Sequence, residues 1–154
     1  MAENVQSIRS LILPIGDHNL LIPTTVVAEV VGHTPPERAG AGPAWLLGHV
    51  TWRGQSVPCV AFEVLGGGAP LSAGARARTV VLKAVGGRSG MPYIALRTDG
   101  IPRLVNVERD GVERQEDGRA LPGVSDAVLT RGESALIPDL DSIEAWTLKA
   151  LQGH

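Results

Sequence analysis

Cysteine, signal-like segments and long apolar runs are scarce or absent in this sequence. Cys59 is the only cysteine among 154 residues, so no disulfide can form within the chain, which fits a reducing compartment. The first residues, Met1-Ala2-Glu3-Asn4, show no basic region followed by an apolar run and so predict no secretory signal. No uninterrupted apolar stretch approaches the roughly 20 residues that a membrane-spanning helix needs. These absences favour a cytoplasmic protein that does not insert directly into membranes.

Aromatic residues and positive charge are also sparse. The chain has three tryptophans, one tyrosine and one phenylalanine, too few for a base-stacking platform, and its formal net charge is −2. Nucleic-acid binding depends on clustered lysine and arginine, so nucleic acid is not expected as a partner. Apolar residues make up 44% and charged residues 19%, which is typical of a globular protein. The length suits one domain with a sizeable core, or two small lobes that share one.

No arrangement of residues predicts catalysis or metal binding. Cys59 lies in an apolar run, where a buried small side chain is a better interpretation than a nucleophile. The four histidines have neither the spacing of metal ligands nor an evident nucleophile to assist; they are His18, His33, His49 and His154. Asp139 and Asp141 could hold a cation, but helix capping already explains Asp141. The sequence therefore predicts no catalytic residue, no metal site and no cofactor.

The glycine run at residues 66–68 does not match the pattern of a phosphate-binding loop. No Lys-Ser/Thr pair follows it, and no helix begins there to receive an anion, so we interpret it as a flexible connector.

Short apolar segments separated by glycine and proline turns dominate the chain. The run 11–23 predicts a hairpin around Gly16–Asn19, and residues 26–31 predict a brief helical turn or strand before an irregular loop at 32–43. Further strands are expected at 79–85, 92–98, 102–107, 121–129 and 134–140. A solvated polar loop is expected at 108–118. This pattern favours an all-β domain built of barrels or a sandwich.

One helix is predicted, at the C-terminal end. Asp141 and Glu144 have the spacing of a capping box, and an apolar stripe follows. The stripe consists of Ile143, Trp146, Ala150 and Leu151.

The most informative stretch is 45–65, which predicts two apolar β-segments around the turn Trp52-Arg53-Gly54-Gln55. Alternation places Leu46, Gly48, Val50 and Trp52 on one face of the first strand. Gly54 can adopt the positive φ that a tight turn requires. Arg53 is then held at the end of a strand, either as an ordinary solvated turn residue or as an interface anchor, a role in which arginine is enriched.

Three segments carry a resemblance to a known family. Residues 48–58, GHVTWRGQSVP, match the pattern G-x-x-N-x-R-G-x-x-x-P except at Thr51, where Asn is usual. Residues 27–30, VAEV, are similar to the V-x-E-I segment, and residues 135–141, ALIPDLD, to the strand that leads into the C-terminal helix. On these residues the chain, from about Ser10 to Leu151, resembles CheW-like domains, the coupling proteins of bacterial chemosensory arrays.

This resemblance implies a fold of two packed five-stranded SH3-like β-barrels with a short C-terminal helix. It implies a tail at 1–9 and a single domain of two barrel subdomains at 10–152. The implied role is that of a non-enzymatic adaptor that couples the cytoplasmic tips of methyl-accepting chemoreceptors to a CheA-type histidine kinase, and so lies at membrane arrays through its partners. Matching positions place Val27, Glu29, Gly48 and Arg53, with Gly54 beside it, at or near the receptor-facing groove.

Two further features bear on the branch of the family and on alternatives. Trp52 and the segment 101–104 resemble the adaptors of pilus-type systems, ChpC-like or PilI-like, which implies twitching motility as an output. Three other interpretations are a standalone β-barrel that binds a peptide or small ligand, a hydrolase or other enzyme that uses Cys59 or the carboxylates, and a detached kinase regulatory domain.

Overall fold

Two sheets make up most of the computed structural model, which describes residues 7–38, 42–71, 74–86, 90–108, 111–114, 122–130 and 132–152. The first lobe is a six-stranded sheet of order β8-β1-β2-β11-β10-β9. Its strands are β1 (Ser7–Ile15), β2 (His18–Pro23), β8 (Arg103–Glu108), β9 (Val112–Arg114), β10 (Val124–Thr130) and β11 (Glu133–Pro138). All neighbours pair antiparallel except β2 and β11, which meet in parallel at Leu20 and Leu136.

The second lobe is a five-stranded sheet of order β3-β6-β7-β5-β4. Its strands are β3 (Val27–Gly32), β4 (Leu46–Trp52), β5 (Gln55–Val60), β6 (Arg78–Lys83) and β7 (Tyr93–Thr98). Only β5 and β7 pair in parallel. The edge strands of this sheet are therefore β3 and β4, and their position matters for the site described below.

The prediction of two barrel-like β sheets with a C-terminal helix is confirmed, with one difference in strand number. The first sheet has six strands instead of five, because Val112–Arg114 pairs with β10 as β9 inside the predicted polar loop 108–118. The predicted hairpin at 11–23 is present, and β1 and β2 meet across the turn Gly16-Asp17. Since β1 begins at Ser7, residues 7–9 of the predicted tail lie in this strand, while residues 1–6 lie outside the described residues.

One local prediction needs correction. The expectation that β structure continues to Leu65 is wrong, because Phe62–Leu65 forms a single helical turn, α1. Phe62 is buried there, and the amide of Gly66 donates to the carbonyl of Phe62 as the turn ends. The segment predicted as either a helical turn or a strand contains both, since the 3₁₀ turn Thr24–Val26 leads directly into β3.

The terminal helix α2 (Leu140–Gln152) begins differently from the prediction. Its capping residue is Asp139, whose Oδ1 accepts from the Ser142 amide at 3.2 Å and whose Oδ2 accepts from the Ser142 hydroxyl at 2.8 Å. The predicted capping box of Asp141 with Glu144 is therefore wrong. Glu144 is buried and bonds to another part of the chain, and Trp146, predicted in the apolar stripe, is 39% exposed.

The two lobes share a core. Its buried side chains come from both sheets, from α1 and from α2; they are Leu13, Ile15, Leu20, Ile22, Val60, Phe62, Val80, Leu82, Ile94, Leu96 and Ile143. Each sheet also has a smaller cluster on its other face, centred on Val57 and Val81 in the second lobe and on Ile12 and Leu21 in the first. The side chains along β6 and β7 are nearly all buried, because these strands contact the shared core on one face and the smaller cluster on the other. Among the described residues, no helix is long and apolar enough to cross a membrane.

Candidate functional site

The turn between β4 and β5 presents an arginine in an unusual backbone conformation. Arg53 has φ +50° and Gly54 has φ +75°, the pair of positive values that a two-residue type I′ hairpin turn requires. Within the described part of the chain, Arg53 is the one non-glycine residue with positive φ. An arginine there is less favourable than Asn or Gly, by about 1 kcal/mol, so its presence points to a use for the side chain.

Three side chains, which we call the clasp, surround this turn: Glu29, Trp52 and Arg53. The Trp52 indole Nε1 donates to Glu29 Oε1 at 2.8 Å, and Arg53 Nη2 lies 3.3 Å from the same oxygen. Cζ of the Arg53 guanidinium lies 4.9 Å from the centroid of the Trp52 ring, within cation–π range. The Arg53 side chain is nonetheless 68% exposed. The clasp therefore orients the guanidinium while leaving most of it open to another molecule.

The clasp also joins the two edges of the five-stranded sheet. Glu29 lies on β3 and Trp52 at the end of β4, and these strands are at opposite edges of the sheet order. The bond from Trp52 to Glu29 thus closes the barrel-like sheet through side chains. Tyr93 of β7 also contacts Trp52, with ring centroids 4.8 Å apart at an interplanar angle of 63°. Trp52 is consequently held by Glu29 and Tyr93, and it is only 8% exposed.

Gly48 has a steric role in this structure. Its φ is +135°, and a Cβ built there would lie 2.2 Å from the carbonyl oxygen of Glu37. The chain approaches so closely because Glu37 and His49 exchange two backbone hydrogen bonds, of 2.8 and 2.9 Å. Only glycine fits this position without moving the backbone.

The remaining predicted site residues have different surroundings. Val27 is half-buried against the shared core and lies opposite Leu82 in the sheet. Gly54 has open space around its α-carbon and supplies the turn conformation. The structure thus brings Glu29 and Arg53 into contact, with Gly54 next in the chain, whereas Gly48 and Val27 have packing roles of their own.

Cys59 is buried in the second sheet, within reach of the charges of Arg97 and Glu63. Burial raises the pKa of the Cys59 thiol to about 12, and nearby Arg97 opposes that rise only in part. Arg97 Nη2 contacts Glu63 Oε2 at 3.2 Å, and both side chains are largely buried. Burial, and then the charge of Arg97, lowers the pKa of His33. A thiol that stays protonated at neutral pH is a poor nucleophile, so this group fits the interpretation of Cys59 as a structural residue.

Within the residues that the structure describes, no group of three or more His, Cys, Asp or Glu side chains could hold a metal ion. The first lobe has an apolar groove of about 520 Å³ on the face that bears its smaller cluster. The groove is lined by Ile8, Ser10, Leu21, Pro23, Val107, Val112 and Ile137.

A comparison with protein-family models identifies the family of this chain. The model of the CheW-like domain family matches residues 9–146, which is most of the chain. The chain belongs to the CheW-like domain family. The fold of this CheW-like domain is similar to that of the scaffolding protein TtCheW from Thermoanaerobacter tengcongensis, with a TM-score of 0.74 and 14% identity over 88% of this chain and 90% of that one. No curated protein matches the sequence.

Sequence reasoning identified Arg53 but not the complete surroundings of the turn in this CheW-like domain. Glu29 was expected near Arg53 only through the family resemblance, and nothing in the sequence pairs it with Trp52, 23 residues away. Tyr93 was not singled out, because a tyrosine at the start of a predicted strand carries no signal of what its ring contacts. The adjacent Trp52 and Arg53 were the one local signal available, since aromatic and arginine neighbours favour an interface.

Proposed function

We propose that this CheW-like domain is a non-enzymatic adaptor that couples the cytoplasmic tips of methyl-accepting chemoreceptors to a CheA-type histidine kinase. Family membership supports the general role, and the geometry of Arg53 supports the site. The proposed location is the cytoplasmic side of membrane receptor arrays, which the domain reaches through its partners. TtCheW, whose fold it shares, is described as a scaffolding protein.

The observation that carries the proposal is the exposed, oriented guanidinium of Arg53. A rotating arginine loses side-chain entropy on binding, about 2 kcal/mol when it is fully immobilised, whereas one already held over an indole ring loses less. The contact with Glu29 does not block binding, because exposed ion pairs contribute only about 0–1 kcal/mol. An incoming carboxylate that forms a two-point pair with the guanidinium is the partner group that this arrangement favours.

The proposed partner-binding residues therefore differ in role. Arg53 contacts the partner, and Glu29 orients Arg53 and closes the sheet behind it. Gly54 allows the turn, while Gly48 and Val27 maintain the backbone around the proposed receptor-facing groove.

The test is binding measured by calorimetry, with a receptor-tip fragment and the kinase regulatory domain from the same genome. Arg53→Asn is the sharpest variant, because Asn is well suited to this turn and removes the guanidinium without destabilising the fold. We expect affinity for one or both partners to fall at least tenfold, with an unfolding temperature equal to or above that of the wild type. Arg103→Ala is the matched control, since Arg103 is another half-exposed arginine paired with a carboxylate, Glu133, at 2.6 Å.

Two results would contradict this assignment. Equal affinity of Arg53→Asn and wild type for both partners would remove Arg53 from the site. An equal loss in Arg103→Ala would show that the effect is one of overall charge and not of this turn.

Within this role, we propose the pilus-type branch as the more specific assignment. Trp52 supports this assignment. Many family members carry leucine at this position, and leucine has no N–H group that could donate to Glu29 as the Trp52 indole does. Deletion of the gene would then impair twitching and leave swimming unchanged; the reverse result would place the adaptor in a flagellar system.

A second candidate function is a peptide- or ligand-binding module with no kinase partner. The apolar groove of the first lobe favours it, since small-molecule sites are concave and mostly apolar. Leu21→Gln, at the floor of this groove, would then abolish binding of the ligand, whereas Arg53→Asn would not affect it.

A further inference from the structure

Glu144 is a fully buried carboxylate with two backbone donors from a distant part of the chain. Its Oε2 accepts from the amide of Val85 at 2.7 Å, and its Oε1 accepts from the amide of Gly86 at 2.8 Å. Its exposed fraction is 0%. Hydrogen bonds from backbone N–H groups to a carboxylate are strong in such surroundings, so this contact is more than incidental surface packing.

The contact joins elements of different lobes. Helix α2 continues from β11 of the first sheet, whereas Val85 and Gly86 follow β6 in the connection between β6 and β7 of the second sheet. Ile143, next to Glu144, is fully buried in the shared core. Glu144 therefore fixes the β6–β7 connection to a helix that is itself anchored between the lobes.

From this connection a chain of direct contacts leads to the clasp. The amide of Ala84, next to Val85, donates to the carbonyl of Pro92 at 2.9 Å. Tyr93 follows Pro92 and contacts the Trp52 ring, which in turn donates to Glu29. Each link is a hydrogen bond, a covalent neighbour or a ring contact.

We propose that Glu144 is a positioning residue for the clasp: by fixing the β6–β7 connection, it sets the position of Tyr93 and therefore of Trp52, Glu29 and Arg53. The effect of Glu144 on the position of Trp52 follows from these hydrogen bonds and ring contacts. The consequence for partner affinity rests on the proposed function of Arg53.

NMR of the indole N–H groups tests whether Glu144 sets the position of Trp52. The chain has three tryptophans, Trp45, Trp52 and Trp146, and so three indole signals, and Trp52→Phe assigns the one of interest. In Glu144→Gln the amide keeps one acceptor oxygen, so one of the two backbone N–H groups loses its acceptor. We expect faster hydrogen exchange at Val85 or Gly86 and an upfield shift of the Trp52 indole proton, because its bond to Glu29 weakens.

Thr147→Val is the matched control. Thr147 is also buried on α2, and its hydroxyl donates to the carbonyl of Ile143 at 2.7 Å, within the helix. This variant removes a hydrogen bond within the helix and keeps the Glu144 carboxylate that accepts from Val85 and Gly86, so it should leave the Trp52 signal in place. If Glu144→Gln does not fold, Glu144→Asp, which keeps the charge but shortens the reach, replaces it.

A double-mutant cycle with Tyr93→Leu tests the route. With the ring contact removed, Glu144→Gln should shift the Trp52 signal no further. The inference is overturned if Glu144→Gln leaves the Trp52 signal unchanged, if Thr147→Val shifts it equally, or if the two changes are additive.

The binding arm separates this inference from the proposed function. If Arg53 contacts the partner, Glu144→Gln should lower the affinity of the domain for that partner about fivefold, a typical size for coupling between distant sites. A wild-type protein that binds neither partner contradicts the proposed function, while a shifted Trp52 signal still supports the positioning role. A wild-type protein that binds, with an unshifted Trp52 signal in Glu144→Gln, contradicts the positioning role alone.

Discussion

Replacing Gly48 with alanine should destabilise the protein far more than the same replacement at Gly54, the other glycine of the β4–β5 hairpin. The new Cβ would lie 2.2 Å from the Glu37 carbonyl oxygen and 2.6 Å from its carbon, so the backbone must separate by on the order of 1 Å. That separation breaks both hydrogen bonds between Glu37 and His49, at about 1 kcal/mol each. The positive φ of +135° adds about 1–3 kcal/mol for a residue with a side chain.

The total of about 3–5 kcal/mol is a large fraction of the stability of a domain, which is about 5–15 kcal/mol. For a protein of this length it corresponds to a fall in Tm of about 6–20 °C. Urea unfolding followed by circular dichroism measures it. Gly54→Ala is the control, because Gly54 also has positive φ but open space around it, and its cost should be about 1 kcal/mol.

Equal destabilisation by the two substitutions would refute the steric argument. A Gly48→Ala protein that is as stable as wild type but no longer binds a partner would restore Gly48 as a direct contact residue. The experiment thus separates two roles that the family pattern alone leaves combined at this glycine.

Two further predictions concern stability. The Cys59 thiol stays protonated in the folded protein to about pH 12, whereas the unfolded thiol ionises near pH 9, so this group's contribution to stability is complete below pH 9 and is lost as the pH rises above it. The free energy of unfolding of wild type relative to Cys59→Ala should fall by about 1.4 kcal/mol per pH unit from pH 9 to 11; a constant difference in urea unfolding would contradict this. Asp139→Ala should destabilise the protein by about 1 kcal/mol through loss of the α2 cap, whereas Asp139→Asn, which keeps an acceptor, should cost much less. Equal thermal stability of those two variants would show that Asp139 does not cap the helix.

Local features of this chain could be predicted because short-range physics determines them. The alternation was correct along 48–52, where Gly48, Val50 and Trp52 are buried and Thr51 is exposed. It was wrong for Leu46, which packs against the shared core while Leu47 packs with Val50 and Trp52, because the register shifts between Leu46 and Gly48. The turn at Arg53-Gly54 was predicted because a two-residue reversal with glycine between apolar strands has few solutions. The family pattern added the arrangement in two lobes, which no local signal specifies.

The features that the sequence could not supply depend on contacts between distant segments. The run that includes Phe62–Leu65 is apolar and short, and a buried strand cannot be distinguished from a helical turn on that basis. Asp139 and Asp141 are both capable caps two residues apart, so the choice depends on where the backbone begins to coil. Glu144 satisfies a capping-box pattern, yet its carboxylate bonds to amides 58 and 59 residues away, which no spacing rule anticipates.

We propose that this domain is an adaptor that holds two signalling proteins together. Size-exclusion chromatography with light scattering on a mixture of the chain, a chemoreceptor-tip fragment and the CheA-type kinase regulatory domain tests it most directly. We predict one species that contains all three, and its loss when Arg53→Asn replaces the wild type. Elution of the chain by itself, with both candidate partners present at micromolar concentration, would contradict the account.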